Sequence, residues 1–301
     1  MMRRFLLAFA LAVLAIGPAR AVEDVPYWAE EIAEGELPPL AERLPAEPLV
    51  VDDDRAVGDY GGDWRMLINR AKDTRLLVVF GYARLVGYDD NLELVPDILK
   101  SYEVEDGRVF TLHLREGHKW SDGAPFTAED FRYYWEDVAL NRDLSPAGPP
   151  TIMLVDGKPP VFEVIDETTV RYTWDGPNPD FLPAMASAAP LFIYRPAHFL
   201  KPYHAEYGDP DELARKAAER SLSGWAALHN DLDNLYKFDN PDLPTLQPWR
   251  ITTAAPAQRF VGERNAYYYK VDAEGRQLPY FDRVVMDVVD AKLIPLKTWA
   301  G

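Results

Sequence analysis

The chain has 301 residues, a formal net charge of −17 at pH 7, 48% apolar residues and no cysteine. The lack of cysteine excludes disulfides, thiolate metal sites, a cysteine nucleophile and a cysteine-linked lipid anchor. A surface this acidic repels phosphate backbones and anionic lipid, so nucleic acid and membrane surfaces are not expected as partners.

The first residues are typical of a cleavable signal peptide. Arg3 and Arg4 precede an apolar run at 5–16, and Ala19-Arg20-Ala21 supplies the small residues of a cleavage site. The run is shorter than the ~20 residues that a membrane-spanning helix needs. We therefore predict that residues 1–21 form a signal peptide and that the mature protein is soluble and periplasmic, with secretion as the second possibility.

Residues 22–48 are rich in Glu, Pro and Ala and show little periodicity. This composition predicts an extended leader rather than a packed element. Ordered structure is expected from about Leu49, with a first short strand at 64–68.

Alternating apolar and polar residues then predict two β-hairpins. Phe110, Leu112 and Leu114 alternate with polar residues after the turn Glu105-Asp106-Gly107, which places the apolar set on one face of a half-buried strand. The second hairpin is predicted at 161–165 and 169–174.

Thr127 and Asp130 have the spacing of a helix capping box. Apolar side chains follow at helical spacing: Phe131, Tyr134, Trp135 and Val138. Further helices are predicted at 181–186, 197–200 and 209–228, the last beginning with Asp209-Pro210, and strands at 250–252, 259–264 and 283–289. Strands interspersed with helices indicate an α/β or α+β fold.

One run of motifs extends from residue 92 to residue 135. It contains Val95-Pro96-Asp97-Ile98-Leu99, Phe110-Thr111-Leu112-His113-Leu114-Arg115-Glu116-Gly117, Lys119-Trp120-Ser121-Asp122-Gly123 and Phe126-Thr127-Ala128-Glu129-Asp130. This run resembles the extracellular solute-binding proteins of family 5, the peptide, oligopeptide and nickel receptors of ABC importers. Glu263-Arg264-Asn265-Ala266-Tyr267-Tyr268 is similar to a later segment of the family, with Ala266 at a position where the family usually has proline.

The resemblance implies an α/β (mixed α+β) fold like lobe I of a type II periplasmic binding protein. On this reading residues 49–290 form the lobe, and a β-rich subdomain is inserted at about 90–160. Residues 291–301 would begin the hinge to a second lobe. Because relatives continue beyond the counterpart of 293–301 into that lobe, we expect a C-terminally truncated form.

In this family the ligand lies in a cleft between the two lobes. The resemblance places Asn69, Lys72, Asp73 and Tyr82 near the rim of the cleft, since they follow the first strand, and Ser145 on another edge. The alternative is that these are solvated loop residues and a core tyrosine. Trp120 and Asp122-Gly123 are expected to be structural, because a Trp before an Asp-Gly turn packs and ends a strand.

Catalytic and metal-binding patterns are missing from the sequence. The five histidines form no H-E-x-x-H pattern, and the chain contains no G-x-S-x-G, Walker or G-x-G-x-x-G motif. We expect a non-enzyme without catalytic residues, a metal site or a cofactor.

The resemblance implies a periplasmic receptor that delivers a short peptide, or a similar small solute, to the permease of an ABC importer in the inner membrane. Ligand contacts to both lobes would favour the closed state. Two alternatives remain open: a fragment that binds nothing alone, and a periplasmic interaction or chaperone-like protein whose uncovered face binds unfolded chains.

Overall fold

The computed structural model describes residues 24–51 and 57–300. Its helices are α1 (Ala29–Ala33), α2 (Leu40–Arg43), α3 (Leu76–Gly81), α4 (Ala128–Arg132), α5 (Phe181–Ala186), α6 (Ala197–Leu200), α7 (Pro210–Glu219), α8 (Trp225–Leu232) and α9 (Ile294–Ala300). A π-helix, Tyr133–Ala139, continues α4, and 3-10 turns lie at Pro26–Trp28, Ala71–Arg75, Thr151–Met153, Lys201–Tyr203 and Ala291–Leu293.

The strands are β1 (Leu49–Val51), β2 (Asp63–Ile68), β3 (Val86–Tyr88), β4 (Leu94–Pro96), β5 (Leu99–Glu105), β6 (Val109–Leu114), β7 (Val161–Asp166), β8 (Thr169–Thr173), β9 (Trp249–Ile251), β10 (Arg259–Arg264), β11 (Lys270–Asp272) and β12 (Arg283–Val288). Among the described residues they form two four-stranded sheets, ordered β5-β6-β8-β7 and β2-β12-β10-β9, and the pairs β1-β11 and β3-β4. This combination of helices with antiparallel and mixed sheets confirms the predicted mixed α/β fold.

The first sheet is antiparallel and contains both predicted hairpins. Phe110, Leu112 and Leu114 are buried on one face of β6, as their alternation predicts. The ring of Phe110 meets Trp174 and Phe181 edge-on, with centroids 5.6 and 5.1 Å apart. The sheet continues to Thr173, whereas the predicted β-rich subdomain ends at about residue 160. The domain boundaries stay predictions.

The capping box that opens α4 is present. Thr127 Oγ1 accepts a hydrogen bond from Glu129 N, and Asp130 Oδ2 accepts one from Thr127 N. The apolar residues predicted at helical spacing are buried in the largest core: Phe131, Tyr134, Trp135 and Val138. Local capping and periodicity therefore suffice to locate this helix.

The second sheet combines sequence-distant strands. β2 pairs in parallel with β12, so that Ile68 lies beside Val288, while β10 pairs antiparallel with both β12 and β9. Its inner face packs against α3 in a separate core that contains Phe260, Val284 and Met286.

The single helix predicted at 209–228 is wrong. The structure has α7 and α8 instead, separated by a turn in which Ser221 adopts a positive φ of 57°. The turn returns the chain, so that Leu213 on α7 and Leu228 on α8 join one core. The predicted start is confirmed, because Asp209 Oδ1 accepts a hydrogen bond from Glu212 N at 2.9 Å.

The described part of the predicted leader, residues 24–48, is folded and not extended. It contains α1 and α2, and Leu40 and Leu44 pack against Val271. The buried Arg43 guanidinium donates to the carbonyls of Pro38 and Ala266. These hydrogen bonds, one local and one to a distant part of the chain, order a segment whose composition carries no periodic signal. The predicted signal peptide, residues 1–21, lies outside the described residues.

Candidate functional site

The site begins at one edge of the mixed sheet. Because β2 and β12 are parallel, their carboxyl ends meet, and Val289 N donates to the Ile68 carbonyl at 2.8 Å. β9 runs in the same direction, and β10 begins at this edge. We call it the carboxyl edge; it carries residues 69–73, 252–258 and 289–293.

The loop that follows β2 is held by one carboxylate. Asp73 Oδ2 accepts hydrogen bonds from Asn69 N at 3.2 Å and from Arg70 N at 3.0 Å. Thr74 Oγ1 donates to the Lys237 carbonyl, which fixes the loop to the body of the protein. Lys72 is exposed and Asn69 is half-buried. The structure thus brings three of the predicted residues together at the carboxyl edge.

Neighbouring polar groups at the same edge escaped the sequence reasoning. Thr253 Oγ1 accepts a hydrogen bond from Val261 N at 3.2 Å, and Gln258 accepts one from Val288 N through its carbonyl. Asp290 Oδ1 accepts one from Lys292 N and caps the turn that leads into α9. The available signal was their position directly after, or before, a predicted strand.

Tyr82 lies at the opposite edge of the sheet. α3 runs back from the carboxyl edge, and a Cβ on Gly81 would come within 2.8 Å of Pro248 Cδ, beside the first residue of β9. The Tyr82 hydroxyl donates to the Ala186 carbonyl at 2.8 Å. The structure therefore separates Tyr82 from Asn69, Lys72 and Asp73, and gives it a hydrogen bond to the end of α5.

Ser145 lies in the part of the molecule built around the first sheet. Its hydroxyl donates to the Val138 carbonyl at 2.9 Å, and its N–H donates to the Asn141 carbonyl. Helix α8 fixes the same turn, because Asn230 Nδ2 on that helix donates a hydrogen bond to the Leu144 carbonyl. These bonds close the turn after the π-helix and do not connect Ser145 with the carboxyl edge.

Surface grooves lined by described residues lie away from these side chains. One of about 520 Å³ is lined by Glu116, Gly117, His118, Pro125, Phe126, Thr127, Asp166, Glu167 and Thr168. Another, of about 280 Å³, is apolar and is lined by Ala205, Pro210, Leu213, Ala214, Gly224 and Trp225. Neither groove contains a residue of the carboxyl edge.

Two of the buried histidines, His118 and His229, are neutral structural groups. Burial lowers the pKa of His118 to about 3 and that of His229 to about 4. His229 Nε2 pairs with the Tyr133 hydroxyl at 2.7 Å, deep in the largest core. Across residues 24–51 and 57–300, no group of three or more His, Cys, Asp or Glu side chains is arranged to hold a metal ion.

The carboxyl edge offers hydrogen-bonding groups rather than a catalytic arrangement. A carboxylate-braced loop, an exposed lysine and threonine hydroxyls can bind the polar groups of a small solute from one side. In the part of the chain that the structure covers, no helix has the length and apolar character needed to cross a bilayer.

The sequence is similar to known solute-binding proteins. The sequence profile of the bacterial extracellular solute-binding proteins, family 5 (middle region), matches residues 93–293. A periplasmic alpha-galactoside-binding protein of Rhizobium meliloti (strain 1021) is 32% identical over 292 residues, which cover 86% of this chain and 38% of that protein.

Solved structures show the same similarity. An oligopeptide-binding protein OppA matches with a TM-score of 0.83 and 36% sequence identity, over 92% of this chain and 43% of its own. The periplasmic binding protein MelB of Agrobacterium fabrum C58, solved in complex with stachyose, matches with a TM-score of 0.70 and 28% identity, over 90% of this chain and 41% of its own.

The chain therefore spans about two fifths of the length of these relatives. Their fold is the one predicted from the motifs at 92–135, and the family consists of binding proteins rather than enzymes. With the profile match over most of its length, the chain belongs to family 5 of the bacterial extracellular solute-binding proteins.

Proposed function

We propose that the chain supplies one wall of the solute site of a periplasmic receptor, which hands its ligand to an ABC importer. The observation that carries this proposal is the Asp73-braced loop at the carboxyl ends of β2 and β12. In open α/β sheets, ligands bind in the crevice outside the carboxyl ends of the strands.

The proposed solute is a short peptide or an α-galactoside-type oligosaccharide. The names of the similar proteins support both, since one binds alpha-galactosides, one was solved with stachyose and one binds oligopeptides. Both solutes are extended and rich in hydrogen-bonding groups. Such ligands suit a wet, polar wall in which direct and water-mediated hydrogen bonds provide the affinity.

The mechanism requires a second wall. A solute bound to the carboxyl edge keeps one side in water, so the edge alone provides only part of the binding free energy. Contacts to both walls would favour a closed arrangement, because a ligand shifts an equilibrium by its differential affinity for the two states. Affinity for this chain by itself is therefore expected to be weak.

The test is NMR titration of the purified chain with millimolar mixed short peptides and, separately, with stachyose. We expect either the peptides or stachyose to shift the amide signals of Asn69 and Arg70, whose N–H groups donate hydrogen bonds to the Asp73 carboxylate. The amides of Asn91 and Glu93, held in the same manner by Asp89, serve as the internal control. The arm that responds identifies the solute class.

Lys72→Ala supplies the matched variant, since Lys72 is exposed at the edge and its loss does not disturb the core. Lys158→Ala, on an exposed lysine paired with Asp175, is the control. If neither solute shifts the amide signals of Asn69 and Arg70, the carboxyl edge is not the solute site. The same conclusion follows if a shift is seen but Lys72→Ala and Lys158→Ala both leave it unchanged.

A further inference from the structure

The carboxyl edge carries more positive than negative charge, although the chain as a whole has a formal net charge of −17. Four cations lie on the loop and turn after β2 and on the turn after β12: Arg70, Lys72, Arg75 and Lys292. The same two segments hold two carboxylates, those of Asp73 and Asp290, and residues 252–258 hold no charge. The edge is therefore a basic patch on an acidic protein.

Both carboxylates of the edge are engaged by backbone N–H groups. Asp73 Oδ2 accepts hydrogen bonds from Asn69 N and Arg70 N. Asp290 Oδ1 accepts one from Lys292 N at 2.8 Å. These hydrogen bonds fix the two turns, but they do not place a carboxylate against a side-chain cation.

Cations on the neighbouring strands are ion-paired instead. Arg283 Nε lies 2.8 Å from Asp63 Oδ1. Arg259 Nε lies 2.7 Å from Asp287 Oδ1. In the described part of the chain, no carboxylate lies within ion-pair distance of the four edge cations. Those cations are available to a ligand without the loss of an existing ion pair.

The exposure of the cations fits this role. Arg70, Lys72 and Lys292 are exposed, and Arg75 is half-buried. Arginine donates a fork of N–H groups to carboxylate or phosphate oxygens, and lysine binds such groups as a compact charge. A patch of one sign also raises the local concentration of oppositely charged solutes. Because the protein as a whole is acidic, an anionic solute is attracted to this edge and repelled by the acidic surface elsewhere.

Uncharged polar groups adjoin the cations. Gln258 is exposed directly before β10. Thr252 Oγ1 donates to the Val261 carbonyl at 3.1 Å, which leaves the hydroxyl oxygen able to accept a further hydrogen bond. Such groups suit the hydroxyl or amide groups that flank the charge in a sugar acid or an acidic peptide.

We propose that the solute of the carboxyl edge bears a carboxylate or phosphate group, which Arg70, Lys72 and Lys292 bind. The inference rests on the proposed function, because it specifies the class of solute for the same site. Half-buried Arg75 adds to the positive potential. An acidic peptide and an acidic sugar present the same anionic chemistry, and their neutral counterparts bind more weakly.

The test compares two matched pairs of solutes by NMR titration of the purified chain. One pair is triglutamate and triglutamine, both acetylated and amidated so that only the side chains differ in charge. The other pair is methyl α-galacturonoside and methyl α-galactoside, which differ by one carboxylate. The amide signals of Asn69 and Arg70 are the readout.

We expect the anionic member of at least one pair to bind with a Kd about tenfold lower than that of its neutral counterpart at low salt, since each exposed ion pair adds a modest attraction. Raising the salt from about 20 to about 200 mM should reduce this preference, because the Debye length shortens. The pair that shows the preference identifies the source of the anion, peptide or sugar.

The matched variants remove equal charge from different places. Arg70→Gln combined with Lys72→Gln and Lys292→Gln should abolish the preference for the anionic member, and their exposure spares the core. Arg142→Gln combined with Lys158→Gln, at exposed cations in the part built around the first sheet, is the control and should retain it.

Each contrary outcome has a distinct meaning. Equal affinity for both members of each pair overturns the inference and leaves the proposed function in place. A preference that survives in the triple variant also overturns it, because the charge of the edge would then not be its cause. If none of the four solutes shifts the amide signals of Asn69 and Arg70, the proposed function fails together with the inference.

Discussion

The indole Nε1 of Trp120 donates a hydrogen bond of 3.1 Å to Asp130 Oδ2 and so joins the turn before α4 to the first turn of that helix. The same carboxylate accepts hydrogen bonds from Thr127 N and from Ala197 N, both at 3.0 Å. One buried aspartate therefore holds a turn, a helix start and the start of α6 together. This explains physically why the motif residue Trp120 is structural, as the sequence indicates.

Asp130→Asn is expected to destabilise the protein by about 1–3 kcal/mol, because the amide can no longer accept all three hydrogen bonds. Burial raises the pKa of Asp130 to about 6, although the hydrogen bonds from Ala197, Thr127 and Trp120 lower it. The folded state then binds the proton more tightly than the unfolded state. The stability that this group contributes is present at low pH and decreases as the pH rises through about 6.

The difference in unfolding free energy between wild type and Asp130→Asn should therefore shrink by up to about 3 kcal/mol between pH 4 and pH 7. Urea unfolding at both pH values measures it. The exposed Asp143→Asn is the control. A difference that grows with pH would show that the carboxylate is stabilised in its charged form.

His118 and His229 predict a second, opposite pH dependence. Burial lowers the pKa of His229 to about 4 and that of His118 to about 3, so the unfolded state binds their protons more tightly. The stability that these neutral histidines contribute to the folded protein is fully present above the unfolded-state pKa of about 6.5 and is lost as the pH falls toward 4. The free energy of unfolding of wild type should decrease between pH 7 and pH 4, and His229→Gln should reduce that decrease by up to about 3 kcal/mol.

Chemical denaturation between pH 7 and pH 4 tests this expectation. His113→Gln, at a half-exposed histidine on β6, is the control variant. An unaltered slope in His229→Gln would mean that His229 is already protonated in the folded protein.

Arg43→Met is expected to loosen the segment 24–48. The change removes the Arg43 donor from the Pro38 carbonyl, leaves the Ala266 carbonyl with Gln277 Nε2 as its donor, and removes the ion pair to Asp24, at a cost of about 2–3 kcal/mol. Limited proteolysis should then cut the segment under conditions in which wild type resists. Arg65→Met, at an exposed arginine of β2, is the control. Equal resistance of both variants would show that apolar contacts alone hold the segment.

Asp73→Ala is expected to free the N–H groups of Asn69 and Arg70 and to cost about 1 kcal/mol of stability. It should also weaken the solute response of the carboxyl edge, because the loop loses its fixed shape. Asp89→Ala is a close match, since Asp89 holds Asn91 N and Glu93 N in another turn. Both variants should lose similar stability in thermal unfolding, whereas only Asp73→Ala should alter the NMR titration.

Local patterns in the sequence determined much of the secondary structure. The alternation of Phe110, Leu112 and Leu114 and the pair Thr127 and Asp130 each depend on a few neighbouring residues, and both features are present. Hydrophobic period and capping chemistry act over a single turn or strand, so they can be read from adjacent positions. The sequence does not predict the turn at Ser221, because a short interruption of the helical hydrophobic spacing is a weak local signal.

Only the tertiary structure decided which distant segments meet. The parallel pairing of β2 with β12 places Ile68 beside Val288, and the return of α3 carries Tyr82 to the opposite edge of the sheet. Arg43 is ordered by carbonyls that lie far along the chain as well as nearby. These arrangements arise from hydrogen bonds and apolar burial between segments of large sequence separation, which no local pattern records.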